Sequence, residues 1–137
     1  MKIPSSEDIV KRLQAHGIYP TEQRIEIAQL MLSRDQHLSA DQVMQMVNRS
    51  DVSVSKATIY NTLGLFASKG LLREVLVDPS RVFYDSNTSG HHHFFNMDSG
   101  ALSDIQDDQL SIGDLPSLPE GTEVDGVDVI VRIRNQV

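Results

Sequence analysis

The sequence predicts an α+β fold in two parts: helices closed by a β-hairpin, then a smaller, acidic part built on short strands. Three observations carry this. Apolar residues recur at helical spacing in four stretches before residue 70, each preceded by a residue type that caps helices. Two β-rich runs, 71–77 and 81–84, flank the turn signal Asp78-Pro79-Ser80. Charge is uneven: over 1–86 ten basic and ten acidic residues cancel, whereas 87–137 holds two against nine, so the whole net charge of −7 lies there.

A chain of 137 residues with 39% hydrophobic content can bury a core as one ordinary domain or two small ones. It has no run of 18 apolar residues and no basic start followed by an apolar stretch, so a soluble, cytoplasmic protein without a membrane partner is expected. Zero cysteines exclude disulfides, thiolate catalysis and a cysteine-built zinc site. Any metal must be held by nitrogen and oxygen. The net charge argues against nucleic acid as a partner of the whole chain, but a neutral first part can present a local basic face.

Residues 5–16 read as the first helix, with Ser5 or Ser6 as cap, Ile9, Val10 and Leu13 at helical spacing, and Gly17 placed to end it. After a turn at 17–21, Thr21 caps a second helix with Ile25, Ala28 and Leu32 as its stripe and Arg24 in its first turn. His37-Leu38-Ser39-Ala40-Asp41-Gln42 opens the third helix with a Ser-x-x-Gln capping box, and Val43, Met46 and Val47 form its apolar face. A connector at 51–55 leads to a fourth helix over 56–69, capped by Ser55 and stopped at Gly70, with Ile59, Leu63 and Phe66 inward. That phase leaves Lys56, Thr58, Tyr60 and Asn61 near the exposed first turns, the residue types that contact phosphates and base edges. Two helices joined by a short turn, the second polar at its start, fit a helix-turn-helix, and the hairpin behind it reads as a wing with Arg81 near its tip. The expected first domain, 1–85, is therefore a winged-helix DNA-binding domain.

Residues 86–90 read as a hinge and 91–137 as a small α/β domain. Strand alternation sends His92, Phe94 and Asn96 to one face and His93, Phe95 and Met97 to the other. After a turn near 98–100 a second strand carries Asp104, and 106–121 is irregular or one short helix. Val124 to Ile133 alternates, with Val127, Val129, Val131 and Ile133 on one face, and predicts a long terminal strand. An apolar face left over in that sheet would be buried by dimerisation.

A nitrogen and oxygen metal site can be assembled from His37, Asp85, Asp104 and the run His91, His92, His93, a set suited to iron(II), manganese or zinc. The same run offers haem ligands; the alternative is a polar surface strand. There is no Gly-rich phosphate loop, Gly-x-Ser-x-Gly or His-Glu-x-x-His. A non-haem iron enzyme using two histidines and a carboxylate is the best catalytic alternative, and no substrate-pocket signal supports it.

Gly17-Ile18-Tyr19-Pro20-Thr21-Glu22-Gln23-Arg24, His37-Leu38-Ser39-Ala40-Asp41, Ala57-Thr58-Ile59-Tyr60-Asn61-Thr62-Leu63, Gly70-Leu71-Leu72-Arg73 and His91-His92-His93-Phe94-Phe95 together resemble the ferric uptake regulator family, over roughly residues 8–134. Within it, the Tyr60–Leu63 segment, the histidine strand and the cysteine-free end look most like the haem-responsive iron response regulators. The resemblance implies a homodimeric repressor or dual regulator of iron homeostasis on double-stranded operator DNA. Thr58 and Tyr60 would belong to the recognition helix and Arg24 would lie near phosphates. It also implies a regulatory metal site with His37 from the DNA-binding domain, Asp85 from the hinge, and His92 and Asp104 from the dimerisation domain; strand alternation then turns His91 and His93 away from it, towards a second metal or haem. Phe94 stands where the family has a further histidine, which leans the reading towards haem or a weak iron site. The 17–21 turn lacks the basic residue common in the family, so Arg24 and Arg81 should matter more. A peroxide sensor working by iron-catalysed oxidation of His37 or His91 is the alternative within the family.

Overall fold

Hydroxyl side chains decide where the helices begin. The computed structural model describes residues 4–48 and 54–137; positions 51–53 of the expected connector lie outside the described residues. Ser5 accepts from the Asp8 N–H at the start of α1 (Ser6–Ala15), and Thr21 from the Arg24 N–H at the start of α2 (Glu22–Met31). Ser39 and Gln42 form both halves of the capping box of α3 (Ala40–Val47), and Ser55 accepts from the Thr58 N–H at the start of α4 (Lys56–Ser68). Glycines in the left-handed region, Gly17 at φ +72° and Gly70 at φ +80°, end α1 and α4. The next N–H then reaches back into the last turn, Ile18 to the Leu13 carbonyl and Leu71 to that of Phe66, which turns both apolar residues into the core.

Ile9, Leu13, Ile27, Met31, Val43, Ile59, Leu63 and Phe66 are fully buried at the centre of the first unit, Met1–Thr88. The expected face of α4 holds, and those of α1 and α3 hold in part: Ile9, Leu13, Val43 and Val47 are buried, Val10 and Met46 only partly so, and Ala40 and Met44 complete the face of α3. That of α2 is rotated: Ile27, Ala28 and Met31 are buried, whereas Ile25 and Leu32 are only partly so. This helix touches α1, α3 and α4 and carries apolar residues on several sides, so its sequence has no single phase to read.

The first unit's sheet is β1 (His37–Ser39), β2 (Arg73–Asp78) and β3 (Arg81–Asp85), antiparallel in the order β1-β3-β2. β1 was expected as lead-in to a helix. Its three residues are too few for alternation to show, and Ser39 serves both as its last residue and as the cap of α3. At the hairpin tip Asp78 accepts from the Ser80 hydroxyl and N–H at 2.7 and 2.9 Å, which holds its carboxyl below the usual range. Helices followed by this hairpin make the winged helix the sequence predicts.

In the second unit, Ser89–Val137, β4 (His92–Asn96) pairs antiparallel with β5 (Leu102–Ile105) through a turn held by Gly100 at φ +76°. β6 (Ile130–Ile133) adds parallel to the other edge of β4, giving the order β5-β4-β6. A parallel neighbour needs a long crossover, and residues 106–129 supply it as turns and irregular chain. The terminal strand is shorter than the alternation from Val124 predicts. β4 offers five residues, and the register from His93↔Ile130 to Asn96↔Ile133 uses that edge up, leaving Val124 and Val127 without a strand to join and exposed. No helix among the described residues is long and apolar enough to cross a membrane.

Candidate metal centre and nucleic-acid interface

His91 and His93 are two residues apart, so an extended backbone puts both side chains on one face and His92 on the other. The β4–β5 register then sets Asp104 directly opposite His93. The result is a convergence: Nε2 of His91 and Nε2 of His93 each lie 3.3 Å from Oδ1 of Asp104. The two rings sit 4.5 Å apart between centroids, tilted by 55°. Both histidines are buried and Asp104 is exposed at the rim.

The donor chemistry of this triad fits a divalent cation. Nδ1 of His91 lies 2.8 Å from the Ser89 carbonyl, which can only accept, so Nδ1 carries the proton. In the neutral ring Nε2 then faces the Asp104 carboxylate as an acceptor, an arrangement a shared cation stabilises. Ligand atoms about 2.0–2.2 Å from one ion stand about 3.0–3.4 Å apart, and both measured nitrogen–oxygen edges fall in that interval. Two imidazoles and one carboxylate are the donors of open iron(II), manganese and zinc sites.

His92 lies elsewhere. Its Nδ1 accepts from the Val129 N–H at 3.0 Å, tying β4 to the chain entering β6. The alternation is the one the sequence predicts, but His91 and His93, not His92, share the face of Asp104. Phe94 and Phe95 do not discriminate by type, although Phe95 is buried beside the histidine pair's face and Phe94 only half so. The usable signal was the turn: a register that faces Phe95 with Leu102 also faces His93 with Asp104.

His37 and Asp85 meet in the first unit, opposite one another in the β1–β3 register. Asp85 is 1% exposed and its Oδ1 accepts from the Asn87 N–H at 2.9 Å. The His37 ring stands edge-on to Phe83, centroids 6.5 Å apart.

Also in the first unit, the start of α4 and the wing border one cleft of about 380 Å³, lined by Ser39, Asp41, Tyr60, Glu74, Arg81 and Tyr84 among others. Ser55, Lys56, Tyr60 and Asn61 are exposed and Thr58 is half-buried, its hydroxyl accepting from that of Ser55 at 2.9 Å. The Lys56 ammonium lies 5.8 Å from the Tyr60 ring centroid. Arg81 on the wing pairs with Asp78, Nε to Oδ2 3.6 Å. Arg24 has one nitrogen committed, Nη1 donating to the Tyr19 carbonyl at 2.8 Å, so it clasps the turn that presents the exposed Tyr19. Asp41 and Glu74 were not expected here; acidic residues give no sequence signal for a face meant to meet phosphate. Burial pushes the Tyr84 phenol above its ordinary value, with Glu74 and Tyr60 adding to it.

The profile of the ferric uptake regulator family matches residues 15–122. A peroxide-responsive repressor of Staphylococcus aureus is 32% identical over 105 residues, covering 77% of this chain and 71% of the relative. A solved ferric uptake regulator from Pseudomonas aeruginosa with manganese superposes with a TM-score of 0.70 at 22% identity, covering 93% of this chain and 97% of that one. One from Francisella tularensis with iron gives 0.70 at 20%, covering 88% and 93%. The Staphylococcus aureus relative is described by its response to peroxide, not by haem, so the resemblance to the haem-responsive branch is not supported at this level. Profile, relative and fold agree at the level of the family: the chain belongs to the ferric uptake regulator family, as a metal-responsive transcriptional regulator and not an enzyme.

Proposed function

We propose that this chain is a homodimeric, cytoplasmic repressor of the peroxide-responsive kind, in which a divalent ion held by His91, His93 and Asp104 controls binding of the winged helix to operator DNA. The observation that carries it is the convergence of two histidine Nε2 atoms on one Asp104 oxygen, with the Ser89 carbonyl fixing the tautomer of His91. The S. aureus relative supports peroxide as the signal. Two imidazole nitrogens and one carboxylate oxygen all lie within 4.8 Å of one another, which suits one bare ion; haem would need an apolar slot for its ring and a histidine aimed into it.

When bound, iron(II) would supply positive charge and the electrons that reduce peroxide. His91 and His93 would supply the nitrogen donors, Asp104 would offset the charge, and the Ser89 carbonyl would fix the neutral His91 ring in the tautomer that presents Nε2. His37 and Asp85 are proposed as further donors, Asp85 being the last residue before the connecting segment 86–90. Donors drawn from both units would let occupancy bias the placement of the winged helices, which is how a ligand couples to DNA affinity. On the DNA side, Ser55, Lys56, Thr58, Tyr60 and Asn61 would meet the major groove, and Arg81 and the remaining donors of Arg24 the phosphates.

Selection of bound sequences from random duplex DNA, with manganese(II) or with chelator, tests the reading. It expects a selected, two-fold-symmetric sequence in one of the two conditions; no enrichment in either contradicts it. Peroxide treatment of the iron(II) form should add one oxygen to His91 or His37 by mass spectrometry, and unmodified histidines would leave a metal sensor without the peroxide response.

A further inference from the structure

Tyr60 is the aromatic residue on the exposed side of α4, and two groups hold it. Lys56, one turn earlier, places its ammonium over the ring. Asp41, from the first turn of α3, places Oδ1 at 3.5 Å from the hydroxyl. A carboxylate only accepts, so in this contact the phenol is the donor. What remains on the Tyr60 oxygen is acceptor capacity. The contact is long, both partners are exposed, and it adds little to the stability of the free protein. Bound DNA that excludes water from the cleft would strengthen it.

Resting on the DNA-binding reading above, we propose that Asp41 is a positioning residue for sequence readout: it fixes the Tyr60 hydroxyl as an acceptor, so that Tyr60 reads an amino group, on adenine or cytosine, in the major groove. In that groove adenine and cytosine present an exocyclic N–H donor, whereas guanine and thymine present carbonyl acceptors at the corresponding edge. A phenol free to rotate accepts from the first pair or donates to the second and so discriminates weakly. A phenol whose proton is held by Asp41 can only accept. The charge of Asp41 acts in the same sense, because a carboxylate beside the hydroxyl repels phosphate and leaves the base edges as the favoured contact.

The experiment is the DNA selection already described, run in parallel on the full chain and on Asp41→Ala, Tyr60→Phe and the double variant, each checked for an unchanged melting temperature. The wild type should prefer adenine or cytosine at one position of each half-site by about fivefold, the discrimination of one good hydrogen bond. Asp41→Ala should relax or reverse that preference towards guanine or thymine at the same position and nowhere else. Tyr60→Phe should abolish it, and the double variant should match Tyr60→Phe. Replacing the preferred base by its analogue without the amino group should weaken the wild type about fivefold and leave Tyr60→Phe unaffected. Identical selected sequences from wild type and Asp41→Ala, or a preference that survives in Tyr60→Phe, would overturn the proposal while leaving DNA binding intact. No selected sequence from the wild type would instead remove the DNA-binding reading beneath it.

Discussion

His92 and His93 are adjacent, chemically identical and set to different tasks by strand alternation. His93 aims Nε2 at Asp104, while His92 uses Nδ1 to take the Val129 N–H. Replacing His93 by Ala should therefore weaken manganese(II) binding by about 100-fold or more, measured by calorimetry. His92→Ala should leave affinity within about threefold and cost about 1 kcal/mol of stability, the worth of the lost bond. The opposite pattern would return His92 to the ligand set. A second residue-scale expectation concerns Tyr84, whose phenol is raised above its ordinary value of 10.0 mainly by burial. Above that value the folded chain holds a proton that the unfolded chain has released. Its contribution to stability is present below pH 10 and is lost as pH rises through the folded value. The melting temperature of the native chain should fall over that range more steeply than that of Tyr84→Phe; parallel profiles would exclude Tyr84 as the cause.

At the scale of elements, capping chemistry was the most legible signal. Ser5, Thr21, Ser39 and Ser55 each start the helix expected of them, because a side-chain oxygen next to an unpaired N–H is a local matter. Ser39→Ala removes one half of the capping box and should lower stability by about 1 kcal/mol in chemical denaturation. No measurable loss would mean that α3 is held by its buried face alone. What could not be read locally depends on partners distant in the chain. The face of α2 is chosen by three surrounding helices, β1 exists because β3 offers it an edge, and β6 stops where β4 ends. The candidate metal centre divides in the same way. His91, His93 and Asp104 were legible as donors by type, but their grouping rests on a hairpin register that residue types alone do not reveal.

At the scale of the whole chain, the acidic excess lies in the second unit, which also exposes several apolar side chains. Ile112, Leu115, Leu118, Val131 and Ile133 are each exposed there, apolar side chains that a second copy of the unit could cover. A homodimer formed through this unit should be lost on introducing Val131→Asp with Ile133→Asp. Sedimentation should then report a monomer with much weaker operator binding, and an unchanged dimer would place the interface elsewhere. The account depends most on the claim that the triad of the second unit governs what the winged helix of the first unit does. Operator affinity measured by fluorescence anisotropy, with manganese(II) and with chelator, on the native chain, His93→Ala and His92→Ala, tests it directly. The account predicts a change of about tenfold or more with metal in the native chain and in His92→Ala, and none in His93→Ala. A metal response that persists in His93→Ala and disappears in His92→Ala would contradict it.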